Sequence, residues 1–201
     1  MLNSDAFVEF AKLADKSVDV IITSPPFRDE DVAGDYYTFY DKFMSEVKRV
    51  TRDYAFIFNS SSRIVDISRR YDVPEEILIW YKGVILFTNR FNPIFVYKFT
   101  DAYKLRLWSN VFSVRPYRGK DSSKVHVHQD PVHLYQYLIR LVPEDKTILD
   151  PFVGSGTTLV AAYNLNRAAI GWEVDEDRYK VALSRLTFAQ KQRTNLTDVF
   201  G

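Results

Sequence analysis

Hydrophobic residues along this chain fall into short unbroken runs, separated by stretches in which they recur every three or four positions. Val18–Thr23, Tyr54–Asn59, Ile94–Phe99, Thr147–Asp150 and Ala168–Val174 have the length and β-branched content of strands buried on both faces. Between them Phe39, Phe43, Val47 and Val50, and later Leu134, Leu138 and Leu141, keep helical spacing, predicting helices over Phe39–Val50 and around Leu134. Alternating strand and helix patterns predict an α/β fold with a mostly parallel sheet covered by helices on both faces. In such sheets ligands bind where strands end and helices begin, so the loops after the apolar runs are where chemistry is expected.

Two of those loops are unusual. The first follows Thr147–Asp150 and reads Pro-Phe-Val-Gly-Ser-Gly-Thr-Thr, a glycine turn leading into a helix entered at Thr157 or Thr158. Gly154 and Gly156 carry no Cβ, so the backbone can bend tightly and approach a ligand. Glu173 ends the next predicted strand 23 positions after Asp150, a spacing that suits hydrogen bonds to ribose hydroxyls. The P-loop Gly-Lys-Ser/Thr is missing and the three-glycine dinucleotide pattern is incomplete. An acid opening the turn suits an ammonium group better than a pyrophosphate. A nucleoside bearing an amino acid, S-adenosylmethionine, meets both demands. A lone Gly-x-Gly commonly does no more than join strand to helix; the acids on either side favour a binding loop.

The second loop, Thr23-Ser-Pro-Pro-Phe, halts the strand at Val18–Thr23 with two prolines. Pro25 and Pro26 fix their own φ and donate no hydrogen bond, and Pro26 restricts Pro25, so nearby carbonyls are held in set directions. Ser24 adds a hydroxyl and Phe27 a ring for stacking. Rigid acceptors beside a ring suit the exocyclic amino group of a nucleobase turned out of its duplex. Hydrogen bonds from that amine would favour a tetrahedral nitrogen whose lone pair can attack a sulfonium methyl, with alignment and electrostatics supplying most of the acceleration. Pro-Pro alone is more often a strand-ending turn, and its coexistence with the glycine loop is what argues for chemistry.

Composition narrows the picture. The 201 residues, 46% hydrophobic and 26% charged, suit one globular domain. No repeat, linker or low-complexity stretch divides them. With no cysteine there is no disulfide framework, thiolate metal site or cysteine nucleophile. No apolar run approaches a membrane span, and the start lacks a signal-peptide pattern, so a soluble cytoplasmic protein is expected. The net charge of +1 conceals a basic stretch: Lys98, Lys104, Arg106, Arg115, Arg118, Lys120 and Lys124 stand against Asp101 and Asp121, with Tyr103, Trp108, Phe112 and Tyr117 interleaved. Lys104, Arg106, Arg115, Arg118, Lys120 and Lys124 are the candidate DNA contacts. The acidic loop Arg28–Tyr37 reads as a lid. His126, His128 and His133 lack a carboxylate cluster, so no metal is expected, and His133 reads as a helix-start residue.

The paired loops resemble those of the amino-group DNA methyltransferases, which act on cytosine N4 or adenine N6. Their order, catalytic loop first and cofactor loop last, is similar to the permuted beta class. Asn3-Ser-Asp-Ala, Phe39–Val50 with Tyr54–Asn59, Arg90–Lys98 and His128–Leu134 resemble further family segments, so the likeness runs from Asn3 to about Arg185. The resemblance implies a Rossmann-like S-adenosylmethionine-dependent fold. It places Asp150, Phe152, Gly154 and Gly156 on the methionine part of the cofactor, Glu173 on the ribose, Asp5 on the adenine, and Ser24, Pro25, Pro26 and Phe27 on the target base. The chain departs from the family at Phe27, more often tyrosine there, and at Thr51-Arg-Asp, where a Leu-Lys-Pro-Gly-Gly turn is usual. The segment at Thr100–Val125 is shorter than the usual recognition region, so no separate recognition domain is expected, and target choice is expected from that short basic segment, from a second copy of the chain in a homodimer, or from a partner protein. Serine opening the catalytic loop tilts the expectation toward cytosine N4. The alternatives are adenine N6, more distantly RNA or a protein glutamine as substrate, and an inactive nucleic-acid-binding module with the same fold. Double-stranded DNA is the expected partner.

Overall fold

The computed structural model describes residues 1–27, 32, 34–83, 91–101, 103–107, 109–115 and 130–200, with the side chains of 193–200 left aside. Its elements in chain order are β1 (Leu2–Asn3), α1 (Ala6–Phe10), β2 (Val18–Thr23), α2 (Tyr36–Val50), β3 (Thr51–Phe58), a 3-10 turn (Ser61–Arg63), α3 (Ile64–Arg70), β4 (Glu76–Tyr81), β5 (Phe91–Lys98), β6 (Val111–Ser113), α4 (Val132–Arg140), β7 (Ile148–Asp150), α5 (Thr157–Asn164), β8 (Ala169–Glu173) and α6 (Glu176–Phe200). The eight strands form one sheet in the order β1-β8-β7-β2-β3-β5-β4-β6. All run the same way except β5, which is antiparallel to both neighbours. The five expected strands are present, β5 and β3 beginning a few residues earlier than the pattern suggested.

The unbroken apolar runs are explained by burial on two faces. Along β3, Tyr54, Phe56 and Phe58 enter one core with Val20 and Ile22 of β2, Leu134 and Leu138 of α4, and Ala161 and Ala162 of α5. Ala55 and Ile57 point the other way, joining Ile21, Phe10 of α1 and Phe43 and Val47 of α2 in a second core. Alternating side chains thus meet apolar helices on both sides, and no position along the strand needs to be polar. Helix α2 starts at Tyr36 rather than Phe39 because Asp35 caps it, accepting a 2.7 Å hydrogen bond from the Thr38 amide.

The centre of the sheet positions the site. Strands β7 and β2 are parallel neighbours, with Ile21 beside Leu149, so their carboxyl ends, Asp150 and Thr23, emerge together. The connections leave this pair in opposite directions, β7 toward β8 and β2 toward β3, which opens a crevice at the strand ends.

Candidate active site

Both unusual loops open into this crevice. Asp150, 2% exposed, accepts at Oδ1 from Thr23 Oγ1 (2.7 Å) and the Phe152 amide (3.1 Å), and at Oδ2 from Thr158 Oγ1 (2.5 Å). Burial pushes its carboxyl up to about 6, against the pull of the hydroxyl donors. The two threonines were not expected to matter. They fix the acid from both sides, one from the end of β2 and one from the first turn of α5.

The glycine loop is held from below and above. Gly154 (φ 54°) and Gly156 (φ 85°) adopt left-handed conformations that side chains disfavour. A Cβ on Gly156 would lie 2.9 Å from Ala182 Cβ and 3.0 Å from its Cα, so this glycine lets α6 pack against the loop. Gly171, which the sequence did not single out, lets β8 lie close to Val153 and to the Asp150 carbonyl. From α6, Arg185 donates to the Ser155 carbonyl (2.5 Å), Ser155 Oγ (3.1 Å) and Thr157 Oγ1 (3.2 Å), another contact with no sequence signature. Phe152 packs edge-on and tilted against Phe43 and Phe39 of α2.

Glu173 closes the far side. Its Oε2 accepts from the Gly154 amide (2.7 Å) and its Oε1 from the Asp175 amide (2.9 Å), while its carbonyl accepts from the Ser4 amide (3.0 Å). That last bond brings Asp5 to the same edge. There Asp5 caps α1, accepting from the Phe7 (2.9 Å) and Val8 (3.1 Å) amides. Asp5, Asp150, Phe152, Gly154, Gly156 and Glu173 therefore all line the carboxyl edge around β1, β8 and β7.

On the other side of the crevice, Ser24 is half-buried, Pro25 buried, and Pro26 and Phe27 half-buried. Phe27 packs on the core that contains Phe58, Trp80 and Tyr135. Its carbonyl accepts from Arg63 Nε at 3.1 Å, and the Arg63 guanidinium lies 3.8 Å over the Tyr36 ring. The Thr-Ser-Pro-Pro-Phe loop is thus tied down by a residue that the sequence reading passed over.

The basic stretch divides. Residues 103–107 run along the amino edge of the sheet: the Tyr103 carbonyl accepts from Tyr54 Oη at 2.8 Å, and the Arg106 amide reaches the Leu141 carbonyl at 3.5 Å. Leu105 and Leu107 pack inward while Lys104 and Arg106 are exposed. Alternation along this extended segment turns Lys104 and Arg106 to solvent at the amino edge, opposite the Thr-Ser-Pro-Pro-Phe loop. Arg115 is exposed beyond β6, where the Val114 carbonyl accepts from Trp80 Nε1 (2.7 Å), and so lies at the carboxyl edge. Arg118, Lys120 and Lys124, with Trp108, His126 and His128, lie outside the described residues, as does most of the acidic loop after Phe27. His133 is the second residue of α4. Among the described residues no group of histidines and carboxylates could hold a metal, and no helix is long and apolar enough to cross a membrane.

A central parallel sheet, a glycine loop flanked by two buried acids, and an antiparallel strand next to β3 together make a Rossmann-like methyltransferase fold. The family model described as DNA methylase (N6/N4 type) matches residues 18–184. The chain belongs to that family, the amino-group DNA methyltransferases. It is 28% identical to the Type II methyltransferase M.HpaI of Haemophilus parainfluenzae over 92% of this chain and 73% of that protein. It is 46% identical to M.HindIII of Haemophilus influenzae over 79 residues, which make up 39% of this chain and 25% of that protein. The structure of an M1.HpyAVI–SAM complex superposes with a TM-score of 0.69 at 23% identity, covering 92% of this chain and 98% of that one.

Proposed function

We propose that the chain transfers a methyl group from S-adenosylmethionine to the exocyclic amine of a base flipped out of double-stranded DNA, with cytosine N4 preferred. One observation carries the reading. The loop fit to hold an amine and the loop fit to hold the methyl donor leave adjacent parallel strands, and the Thr23–Asp150 hydrogen bond joins them. The site suits the cofactor: left-handed glycines give a close backbone approach, Asp150 supplies a negative pole, and Asp5 and Glu173 supply acceptors at the same edge. When bound, that cofactor supplies an electrophilic sulfonium methyl. The relative solved with SAM has the same fold, which supports the choice.

In this reading the protein's own residues orient and polarise. Ser24 Oγ and the carbonyl of Ser24 or Pro25 accept the two N–H groups of the target amine, and Phe27 stacks on the base. Arg63 holds Phe27 in place through its carbonyl. Arg115, exposed at the carboxyl edge, reaches phosphate beside the opening. Serine rather than a carboxylate at the head of the loop supports cytosine N4.

Purified protein incubated with labelled S-adenosylmethionine and unmodified mixed-sequence DNA, followed by mass spectrometry of the nucleosides, is expected to yield N4-methylcytosine. N6-methyladenine would replace the base assignment, and no methylated nucleoside would overturn the proposal. Within the site, Ser24→Ala is expected to slow transfer more than it weakens cofactor binding, and Asp150→Ala the reverse.

A further inference from the structure

Methylation of an amine leaves a proton to dispose of, and Ser24 is not a base. The carboxylates at the carboxyl edge differ in how far they are already engaged. Asp150 accepts three hydrogen bonds, Glu173 is bound at both oxygens by backbone amides, and Asp5 caps a helix at the outer strand. Asp130, just before α4, differs. Its Oδ2 accepts from Tyr135 Oη at 3.0 Å, and it faces the half-buried Lys82 at the end of β4. Its place is fixed by its carbonyl, which accepts from Thr157 Oγ1 at 3.3 Å. Thr157 is the neighbour of Thr158, which holds Asp150. Tyr135 in turn stacks on Phe58 with centroids 5.0 Å apart, within the core on which Phe27 rests. Asp130, half-buried, therefore stands between the start of α5 and the core on which Phe27 packs.

We propose that Asp130 accepts the proton released by the methylated amine, oriented by Tyr135 and balanced by Lys82. The inference rests on the methyltransferase reading above. The amine lone pair forms the N–C bond as the C–S pair passes to sulfur, and the cationic amine then gives one N–H proton to the Asp130 carboxylate, restoring a neutral base. Enclosure pushes the Asp130 carboxyl up to about 6, in the range useful to a base working near neutral pH, while the Tyr135 hydrogen bond and the Lys82 charge oppose that rise. Lys82 is itself drawn below the usual lysine range by burial. Asp150 titrates in the same range, so only substitution separates the two acids.

The test is single-turnover methylation of DNA at saturating cofactor across pH 5 to 8 (about the span over which a group near 6 titrates), with cofactor affinity measured by calorimetry. Wild type should lose rate as pH falls through about 6. Asp130→Asn should lose about 10²-fold in rate and the acid limb with it, while cofactor affinity is kept. Tyr135→Phe should move the limb to higher pH, because the bond that stabilises the carboxylate is gone, an effect a structural role would not produce. Asp130→Glu should restore part of the rate and a limb, and it serves if the asparagine variant does not fold. An unchanged rate or limb in Asp130→Asn overturns the proposal, as does a loss traced to weaker cofactor binding. If wild type leaves no methyl group on DNA, the broader reading fails first.

Discussion

Thr23 and Asp150, 127 positions apart in sequence, share a 2.7 Å hydrogen bond that is buried beneath both functional loops. One strand end thereby positions the acid of its neighbour, and displacement of either loop is felt by the other.

Replacing Thr23 with valine keeps the shape and deletes the donor. Asp150 Oδ1 would retain only the Phe152 amide of its two donors. A loss of about 1–3 kcal/mol in unfolding free energy is expected. Cofactor affinity and transfer rate should fall together, because both loops lose their common support. Denaturant melts, calorimetry and single-turnover rates on one preparation check this, and a variant that lost only one of the two functions would show the loops to be independent.

The two loop glycines should respond unequally to alanine. Gly154→Ala meets nothing closer than the Phe152 carbonyl at 4.0 Å, so its cost is the left-handed conformation, about 1–2 kcal/mol. Gly156→Ala bears that cost and drives its methyl group into Ala182, adding about 1–3 kcal/mol of overpacking and lifting α6 with Arg185 off the loop. Thermal melts should rank Gly156→Ala well below Gly154→Ala.

Stability should depend on pH in two opposed windows. Asp150 and Asp130 stand near 6 in the folded protein against an ordinary 3.8, so the folded state binds more protons between those values. Their burial penalty is relieved as pH falls, and the cofactor-free protein is expected to melt higher at pH 5.5 than at pH 7.5 (the window lies between about 4 and about 6). Asp41 behaves oppositely, held down to about 2 by Arg70 and Tyr71, so its contribution is lost as pH drops below its ordinary 3.8. Asp150→Asn should shrink the upper window to the part that Asp130 contributes and leave the lower one in place.

The division of the basic stretch can be read from salt. Arg115→Ala should weaken DNA binding and reduce the slope of log affinity against log salt by about one contact's worth. Arg106→Ala, at the opposite edge, should leave that slope where it was. Equal effects from the two would show that both edges of the sheet contact DNA.

Much of this arrangement could be read from the chain, and the exceptions have physical reasons. Strands β2, β3, β5 and β7 announce themselves because burial on both faces removes polar positions from the run, and β8 keeps an apolar run although Ile170 is 45% exposed. Strand β1 has two residues and β6 three, too few for any period, and β4 near the margin leaves Ile77 38% exposed, which blurs its pattern. The glycine loop and Thr-Ser-Pro-Pro-Phe are local signals, legible because the backbone demands glycine and proline there. Thr23, Thr158, Arg185, Arg63 and Asp130 act across the sheet order, which no local pattern encodes. Charge counted along the chain likewise could not tell which end of the sheet Arg106 or Arg115 would occupy.

The strand order also sets a sequence of events. β2 and the Thr-Ser-Pro-Pro-Phe loop leave the ribosome long before β7, the strand that must slot in beside β2, and β8 comes later still to fill the gap between β7 and β1. Until residue 150 arrives, Thr23 lacks its acceptor and the cradle for the methyl donor does not exist. A growing chain could therefore hold the proline loop without any means of modifying what it touches, and activity should appear only after β8 and α6 have brought Glu173 and Arg185 to the glycine loop.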